Sequence, residues 1–358
     1  MERAPRPDDQ FRVHGVLSPI VGRDAELDVL RGVLRRALDF RAPQVVSVLG
    51  NQGTGKTRLL AEWAGEIGPP VRIYRGRPAT RSARYSAIAR LLQDRFGFAP
   101  GDEVIGLTLF GGYASRVVLA SDRVFARPAR LSAEAGAAIP TVYLTAWWMV
   151  HEQLHPRSGE TWLVHSAAGG VGTALAQLGR LAGCRVIGVV GGAHKVDAAR
   201  AAGCDGVIDK SKGNLWLHAR TLSPGGYQAI FDANGVSTLG ESYRHLAPTG
   251  RVLIYGFASM LPHDGRLNWL KLAWDWLRTP RFNPLSLTRD NKSVLACNLS
   301  FLSAHGERLR EGMHWLLQRF ADGRLAPPPV TAFPLARAAD AQRAIESGRT
   351  VGKLVLIP

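Results

Sequence analysis

Thr161-Trp162-Leu163-Val164-His165-Ser166-Ala167-Ala168-Gly169-Gly170-Val171-Gly172-Thr173-Ala174-Leu175-Ala176-Gln177-Leu178 decides the fold. A short apolar run, a tight glycine cluster and an Ala/Leu-rich run read as strand, loop and helix. Glycines in that place let backbone N–H groups at a helix N-terminus approach a diphosphate. The context gives the fingerprint its weight. Strands are expected at 185–190, 206–209, 228–232 and 251–255, with a helix over 195–202 among the connections. That alternation predicts a doubly wound parallel sheet that binds a dinucleotide.

In NAD-binding folds a carboxylate at the end of the second strand bonds the ribose 2′-hydroxyl. Here that place is Val190-Gly191-Gly192, with Lys195 just beyond it and Lys210 after the third strand. A site without that carboxylate and with two lysines at its edge favours a 2′-phosphate, and hence NADP over NAD.

A second phosphate loop stands nearer the N-terminus. Val45-Val46-Ser47-Val48-Leu49 reads as a strand, followed by Gly50-Asn51-Gln52-Gly53-Thr54-Gly55-Lys56-Thr57 and a helix-like run from Arg58. This is the order of a P-loop, in which Gly50, Gly53 and Gly55 expose backbone N–H groups, Lys56 reaches the outer phosphates and the Thr57 hydroxyl ligates Mg²⁺. ATP with Mg²⁺ is the implied ligand. A helix is expected over 26–40, a strand over 71–75 and a helix over 85–96, but no apolar strand ending in paired acids precedes Pro100-Gly101, where the two segments meet. The acidic residue that hydrolysis requires is not visible.

The 358 residues are 46% hydrophobic, enough for two or three cores, and Cys184, Cys204 and Cys297 are too few and too scattered for a disulfide framework. A reducing cytoplasm is the expected compartment. No apolar run reaches the ~18 residues of a membrane span. The net charge of +16 is spread, with +7 in residues 1–100 and +9 beyond, and no five like charges adjoin, so no specific nucleic-acid surface is expected.

Residues 101–358 resemble the medium-chain dehydrogenase/reductases of the zinc-independent quinone oxidoreductase type, nearest their vesicle amine transport branch. The resemblance rests on Gly101-Asp102-Glu103-Val104, Phe110-Gly111-Gly112-Tyr113, Leu144-Thr145-Ala146-Trp147, the loop 165–172, Phe231-Asp232-Ala233-Asn234-Gly235, Tyr255-Gly256-Phe257, Asn298-Leu299-Ser300-Phe301 and Val351-Gly352-Lys353-Leu354-Val355-Leu356. Residues 18–98 resemble the front part of AAA-type signalling ATPases that begin Val-Gly-Arg-x-x-Glu-Leu, here Val21 to Leu27.

The first resemblance implies an α/β Rossmann doubly wound parallel sheet with remnants of a barrel-like catalytic domain, preceded by an incomplete P-loop α/β segment. The expected divisions are 1–98, 99–135 (catalytic remnant), 136–325 (Rossmann domain) and 326–358 (return to the catalytic domain). Gly169, Gly170, Val171 and Gly172 are expected to cradle the pyrophosphate. Ser166 takes the place of a first glycine, a departure tolerated if its φ stays negative. Gly191, Lys195 and Lys210 border the adenosine end. Asn234, Tyr255, Gly256, Phe257 and Phe301 lie along the ribose and nicotinamide, Thr145 stands near the reacting ring, and Tyr113 or Tyr143 polarises the substrate carbonyl. The implied reaction is zinc-independent hydride transfer from NADPH to a quinone or an enone, in a homodimer.

Two other features carry chemistry on spacing alone. His151-Glu152-Gln153-Leu154-His155 matches the His-Glu-x-x-His metalloprotease pattern, yet it falls where the resemblance demands a connecting helix, and no third ligand follows. The Trp-rich stretch 267–277 reads as a lid or dimer-facing helix, with peripheral membrane contact as the second reading. Because the residues before Gly101 belong to the P-loop segment instead of a catalytic barrel, open sheet edges and an unfilled core are expected. An ATP-binding or redox-sensing regulatory fusion is the alternative function.

Overall fold

The computed structural model describes residues 12–13, 16–17, 20–39, 46–49, 54–68, 71, 98, 101–108, 111–258 and 269–358. The chain divides into two compact units, Met1–Pro100 and Gly101–Pro358.

In the first unit β1 (Arg12–Val13) pairs antiparallel with β2 (Val16–Leu17), and two helices follow, α1 (Asp24–Asp39) and α2 (Lys56–Gly65). Asp24 and Glu26 occupy the first turn of α1, where negative charge complements the helix dipole. Leu27 and Leu30 of α1 close on Leu59 of α2, with Ile20, Val48 and Trp63 around them. Arg31 ties the helices together through Glu66. Over 46–49, the described part of the strand expected at 45–49, no strand is formed. Gly50, Gly53, Val45 and the elements expected at 72–75 and 85–96 lie outside the described residues.

The second unit opens with a short antiparallel pair, β3 (Val104–Gly106) and β4 (Val124–Ala126), in which Ile105 faces Phe125 and both are buried. Ser132 caps α3 (Ala133–Ala138) by accepting the Ala135 N–H. Helix α4 (Pro140–Trp147) starts on a proline and continues as a π-helix from Trp148 to Leu154, which ends at His155 with φ 48°. Then come β5 (Thr161–Val164), α5 (Gly170–Leu181), β6 (Arg185–Val190), α6 (Val196–Ala201), β7 (Gly206–Asp209), α7 (Leu215–Leu222), β8 (Tyr227–Asp232), α8 (Leu239–Arg244) and β9 (Leu246–Ile254). Helices α9 (Trp269–Arg278) and α10 (Pro284–Asp290), strand β10 (Ser293–Ala296), helix α11 (Gly306–Ala321), strand β11 (Val330–Pro334), helix α12 (Ala338–Glu346) and strand β12 (Lys353–Ile357) complete it.

Six strands form one all-parallel sheet in the order β10-β9-β8-β5-β6-β7, so the direction of winding reverses between β5 and β8. This is the Rossmann arrangement. The strands read as nearly continuous apolar runs because both faces are covered. Trp162 and Val164 of β5 face Leu175 of α5 and Met313 and Leu316 of α11, whereas Leu163 faces the opposite core with Ile230, Val252 and Leu239. β9 starts five residues before the expected strand, with a register irregularity opposite Tyr227 and Ala229.

β3–β4 and the parallel pair β11–β12 remain separate two-stranded sheets. A cavity of about 1080 Å³ lies against them, lined by Val104, Val142, Val171, Ile345 and Leu354 among others. On α9, Trp269, Trp274 and Trp276 are exposed. No described helix is long and apolar enough to cross a membrane.

Candidate functional site

The glycine loop leaves the carboxyl end of β5 at the point where the sheet changes direction, and it delivers the first turn of the 12-residue helix α5. The amides of that turn have no acceptor within the helix, and the helix dipole adds positive potential there. Gly172 is required by space: a Cβ would stand 2.3 Å from the Ser166 carbonyl oxygen and 2.7 Å from the Ala167 Cα, both backbone atoms. A Cβ on Gly170 would meet Val142 Cγ1 at 2.8 Å. Ser166 itself adopts φ 55°, so the condition for its harmless departure from glycine fails: a β-carbon stands at a left-handed position. Its carbonyl accepts the Gly169 N–H at 2.9 Å, which holds the turn. From the other side Gly352 donates its N–H to the Ala168 carbonyl at 2.8 Å, and Gly169 and Gly352 form a parallel bridge.

The structure brings Gly191, Lys195 and Lys210 to one edge. The Lys210 side chain passes over Gly191, with Cε 3.8 Å from where a Cβ would stand. Lys195 donates to the Gly348 carbonyl at 2.6 Å, and the neighbouring His194 Nε2 lies 3.2 Å from the Arg349 carbonyl. Burial, and then the Lys210 charge, lower the Lys195 pKa from its ordinary 10.5. A carboxylate absent from the end of β6 is nevertheless near: Asp209, the last residue of β7, pairs in register with Val190. Hydrogen bonds from Ser211, together with Lys212 and His194, hold its carboxyl below the usual range.

Between β5, β8 and β9 a buried polar network fixes the strand ends. Asp232 is fully buried, and its carboxylate accepts the N–H groups of Asn234 and Gly235 at 2.9 and 3.0 Å and the hydroxyls of Thr238 and Ser242 at 2.8 and 2.7 Å. His165 Nε2 lies 3.2 Å from Ser242 Oγ. Because the Ser242 proton is committed to Asp232, Nε2 carries the proton in that contact, and Nδ1 is bare and has no partner among the described residues. Burial keeps the imidazole pKa low, against the pull of Asp232. Tyr255 donates its hydroxyl to the His165 carbonyl at 3.1 Å. Asn234, Gly235 and Tyr255 are thus tied into one unit, and Phe257 covers Gly235. Sequence reasoning quoted His165 and Asp232 without giving them a role. The available signal was an acid closing an apolar parallel strand, where ligand-facing loops begin.

The residues expected at the reacting ring differ in burial and hydrogen bonding. Thr145 is buried on α4 and gives its hydroxyl proton to the Thr141 carbonyl at 2.7 Å. Phe301 is 82% exposed in a 3₁₀ turn. Tyr113 is exposed and accepts the Gln342 amide at 2.8 Å, which leaves its own proton available. Tyr143 is committed elsewhere: buried, it donates to the Ala326 carbonyl at 2.6 Å, so it is a packing residue and not a carbonyl donor.

The His-Glu-x-x-His match does not build a zinc face. The π-helix and the left-handed cap at His155 take the two histidines out of α-helical register. His151 packs on the rings of Trp147 and Trp315, and Glu152 pairs with Arg308. In the first unit Gly55 takes φ 79° before Lys56 and Thr57 open α2, and the Arg23 guanidinium donates to the Thr54 carbonyl at 2.8 Å.

Comparison with known proteins finds relatives for both parts of the chain. A family model described as zinc-binding dehydrogenase matches residues 202–356. The synaptic vesicle membrane protein VAT-1 homolog of Danio rerio is 30% identical over 256 residues, 72% of this chain and 53% of the relative. Escherichia coli quinone oxidoreductase complexed with NADPH superposes with a TM-score of 0.61 at 26% identity, covering 73% of this chain and 76% of that one. The quinone oxidoreductase of Thermus thermophilus gives 0.60 at 29%, covering 73% and 78%. Residues 101–358 are similar in sequence and fold to the medium-chain dehydrogenase/reductases.

An AAA ATPase domain model matches residues 19–141, running past Pro100 into residues that this fold packs within the dehydrogenase unit. The chain spans about half to two thirds of the length of the VAT-1 homologs it matches. The dehydrogenase family's zinc does not fit here: no group of three or more His, Cys, Asp or Glu side chains converges among the described residues, and all three cysteines are buried and unpaired.

Proposed function

We propose that residues 101–358 form an NADPH-dependent reductase that passes hydride to a quinone or to the β-carbon of an α,β-unsaturated carbonyl. The observation that carries this reading is the loop at the switch point of the sheet, where a Cβ on Gly172 is excluded by the Ser166 carbonyl, with Lys195 and Lys210 at the adjoining edge. NADPH fits that cradle. When bound it supplies two electrons as hydride, and solvent supplies the proton that completes the hydroquinone or the saturated carbonyl.

The chain's own residues bind and orient. The amides of Gly169, Gly170, Val171 and Gly172 take the diphosphate, while Lys195 and Lys210, beside Gly191, take the 2′-phosphate. Asn234, Tyr255, Gly256 and Phe257, held by the Asp232 network, line the ribose and nicotinamide. Tyr113 retains a proton for the acceptor oxygen, and Thr145 and Phe301 border the acceptor.

The test is to follow NADPH absorbance with the full chain and p-benzoquinone, menadione and a simple enone. Acceptor-dependent oxidation, slower with NADH, is the expected result. Bound NADPH without turnover on any acceptor overturns the reductase reading. In that case the regulatory reading takes its place, supported by the bond from Arg23 to Thr54 that ties the Val-Gly-Arg segment to the P-loop. Its own signature is ATP binding that Lys56→Ala removes while NADPH binding stays unchanged.

A further inference from the structure

A second, smaller cavity of about 120 Å³ lies between β3–β4 and the helical face of the nucleotide unit. Its walls include Leu107, Phe125, Leu299 and Leu309, which make an apolar floor. The floor adjoins the positions assigned to the reacting ring. Leu299 and Ser300 immediately precede Phe301, and Thr141, which lines the same space, accepts the Thr145 hydroxyl on its carbonyl. A dry apolar cavity of about 150 Å³ accommodates benzene, so this space, open on one side, admits one six-membered ring.

The rim is charged, and its charge is unbalanced. Asp122, Arg123 and Arg310 face the cavity, leaving one net positive charge. Neither guanidinium is hydrogen-bonded through its side chain or ion-paired to a described residue, and Asp122 forms no ion pair with either. Arg123 is half-buried at the end of the Ser121–Arg123 turn, anchored through its backbone by the Leu107 N–H to the Arg123 carbonyl at 2.9 Å. The guanidinium of a half-buried arginine beside an apolar floor presents a planar fork suited to a carboxylate.

Resting on the reductase reading above, we propose that this cavity is the acceptor subsite and that it selects small single-ring or equivalent acceptors bearing a carboxylate, which Arg123 engages, with Arg310 adding long-range attraction. The two guanidiniums are therefore specificity determinants. They take no part in the electron transfer itself.

The experiment separates charge recognition from turnover by using inert probes. Binding of benzoate and of uncharged benzamide to the full chain is measured by calorimetry, without and with NADPH. Benzoate is expected to bind about ten-fold more tightly than benzamide, and Arg123→Gln to abolish that preference while benzamide affinity stays unchanged. Arg310→Gln, at an exposed position, keeps the test alive if the Arg123 variant does not fold, and it is expected to reduce the preference about two- to three-fold and to flatten its salt dependence. Equal affinities in the natural chain, no binding of either probe, or a preference untouched by both variants overturns the proposal. Failure of the reductase reading shows separately, as absent NADPH oxidation while benzoate still discriminates. Where turnover is present, benzoate competes with the quinone and not with NADPH.

Discussion

Two glycine-rich loops in this chain sit at helix N-termini, and they need glycine for opposite reasons. In the dehydrogenase unit Gly172 faces crowding, because backbone atoms of Ser166 and Ala167 occupy the space of a side chain. In the P-loop unit no described atom lies within 4 Å of a Cβ on Gly55, and its constraint is a left-handed φ of 79°. The first loop is built into a fully covered parallel sheet and clasped by Gly352, whereas the second belongs to a unit whose described core is three buried leucines and their neighbours. A shared motif type therefore says little about how firmly a loop is held. The packing around it decides that.

Substitution tests this contrast most directly. Gly172→Ala is expected to destabilise the chain by about 2–3 kcal/mol and to weaken NADPH binding at least a hundred-fold, read by denaturant unfolding and by cofactor titration. A variant that bound NADPH normally would break the steric account of the loop. Next in size is Lys195→Ala, with about a ten-fold loss of NADPH affinity and no change for NADH. Its pH dependence has a definite sign. Because the folded Lys195 pKa lies below 10.5, the unfolded chain holds the proton more tightly between the two values, and stability rises with pH across that interval. NADPH affinity falls across the same interval as the ammonium is lost, and Lys195→Ala removes both trends.

Gly55→Ala is expected to cost about 1 kcal/mol, through backbone conformation alone, and to leave NADPH binding unaffected. A loss as large as that of Gly172→Ala would erase the contrast between the loops. The smallest effect belongs to Ser166→Gly, which relieves a left-handed φ at a non-glycine residue and is expected to stabilise the chain by about 0.5–1 kcal/mol in thermal unfolding.

The parallel sheet was legible because buried strands write themselves as apolar runs: β6 and β7 fall where Arg185 to Val190 and Gly206 to Asp209 predict them. The start of β9 was not, because Leu246-Ala247-Pro248-Thr249-Gly250 carries turn chemistry and is strand only by pairing with β8. At the candidate site the glycine loop and the two lysines are local signals and could be read. The Asp232 network could not be, since its members His165, Thr238, Ser242 and Tyr255 meet only when β5, β8 and β9 are laid side by side. Sequence likewise gave no warning that Thr145 turns its proton back into its own helix or that Tyr143 is bonded to Ala326. Rotamers at such positions are set by tertiary partners.

The bridge between Gly169 and Gly352 has a consequence for synthesis. The loop's own strand and helix emerge from the ribosome long before the residue that clasps them, so the nascent dehydrogenase unit must wait with an unlatched loop until Gly352 clears the exit tunnel. Ribosomes stalled short of that residue would hold a sheet with its nucleotide cradle still unfastened, so cofactor capture would report that Gly352 has been reached.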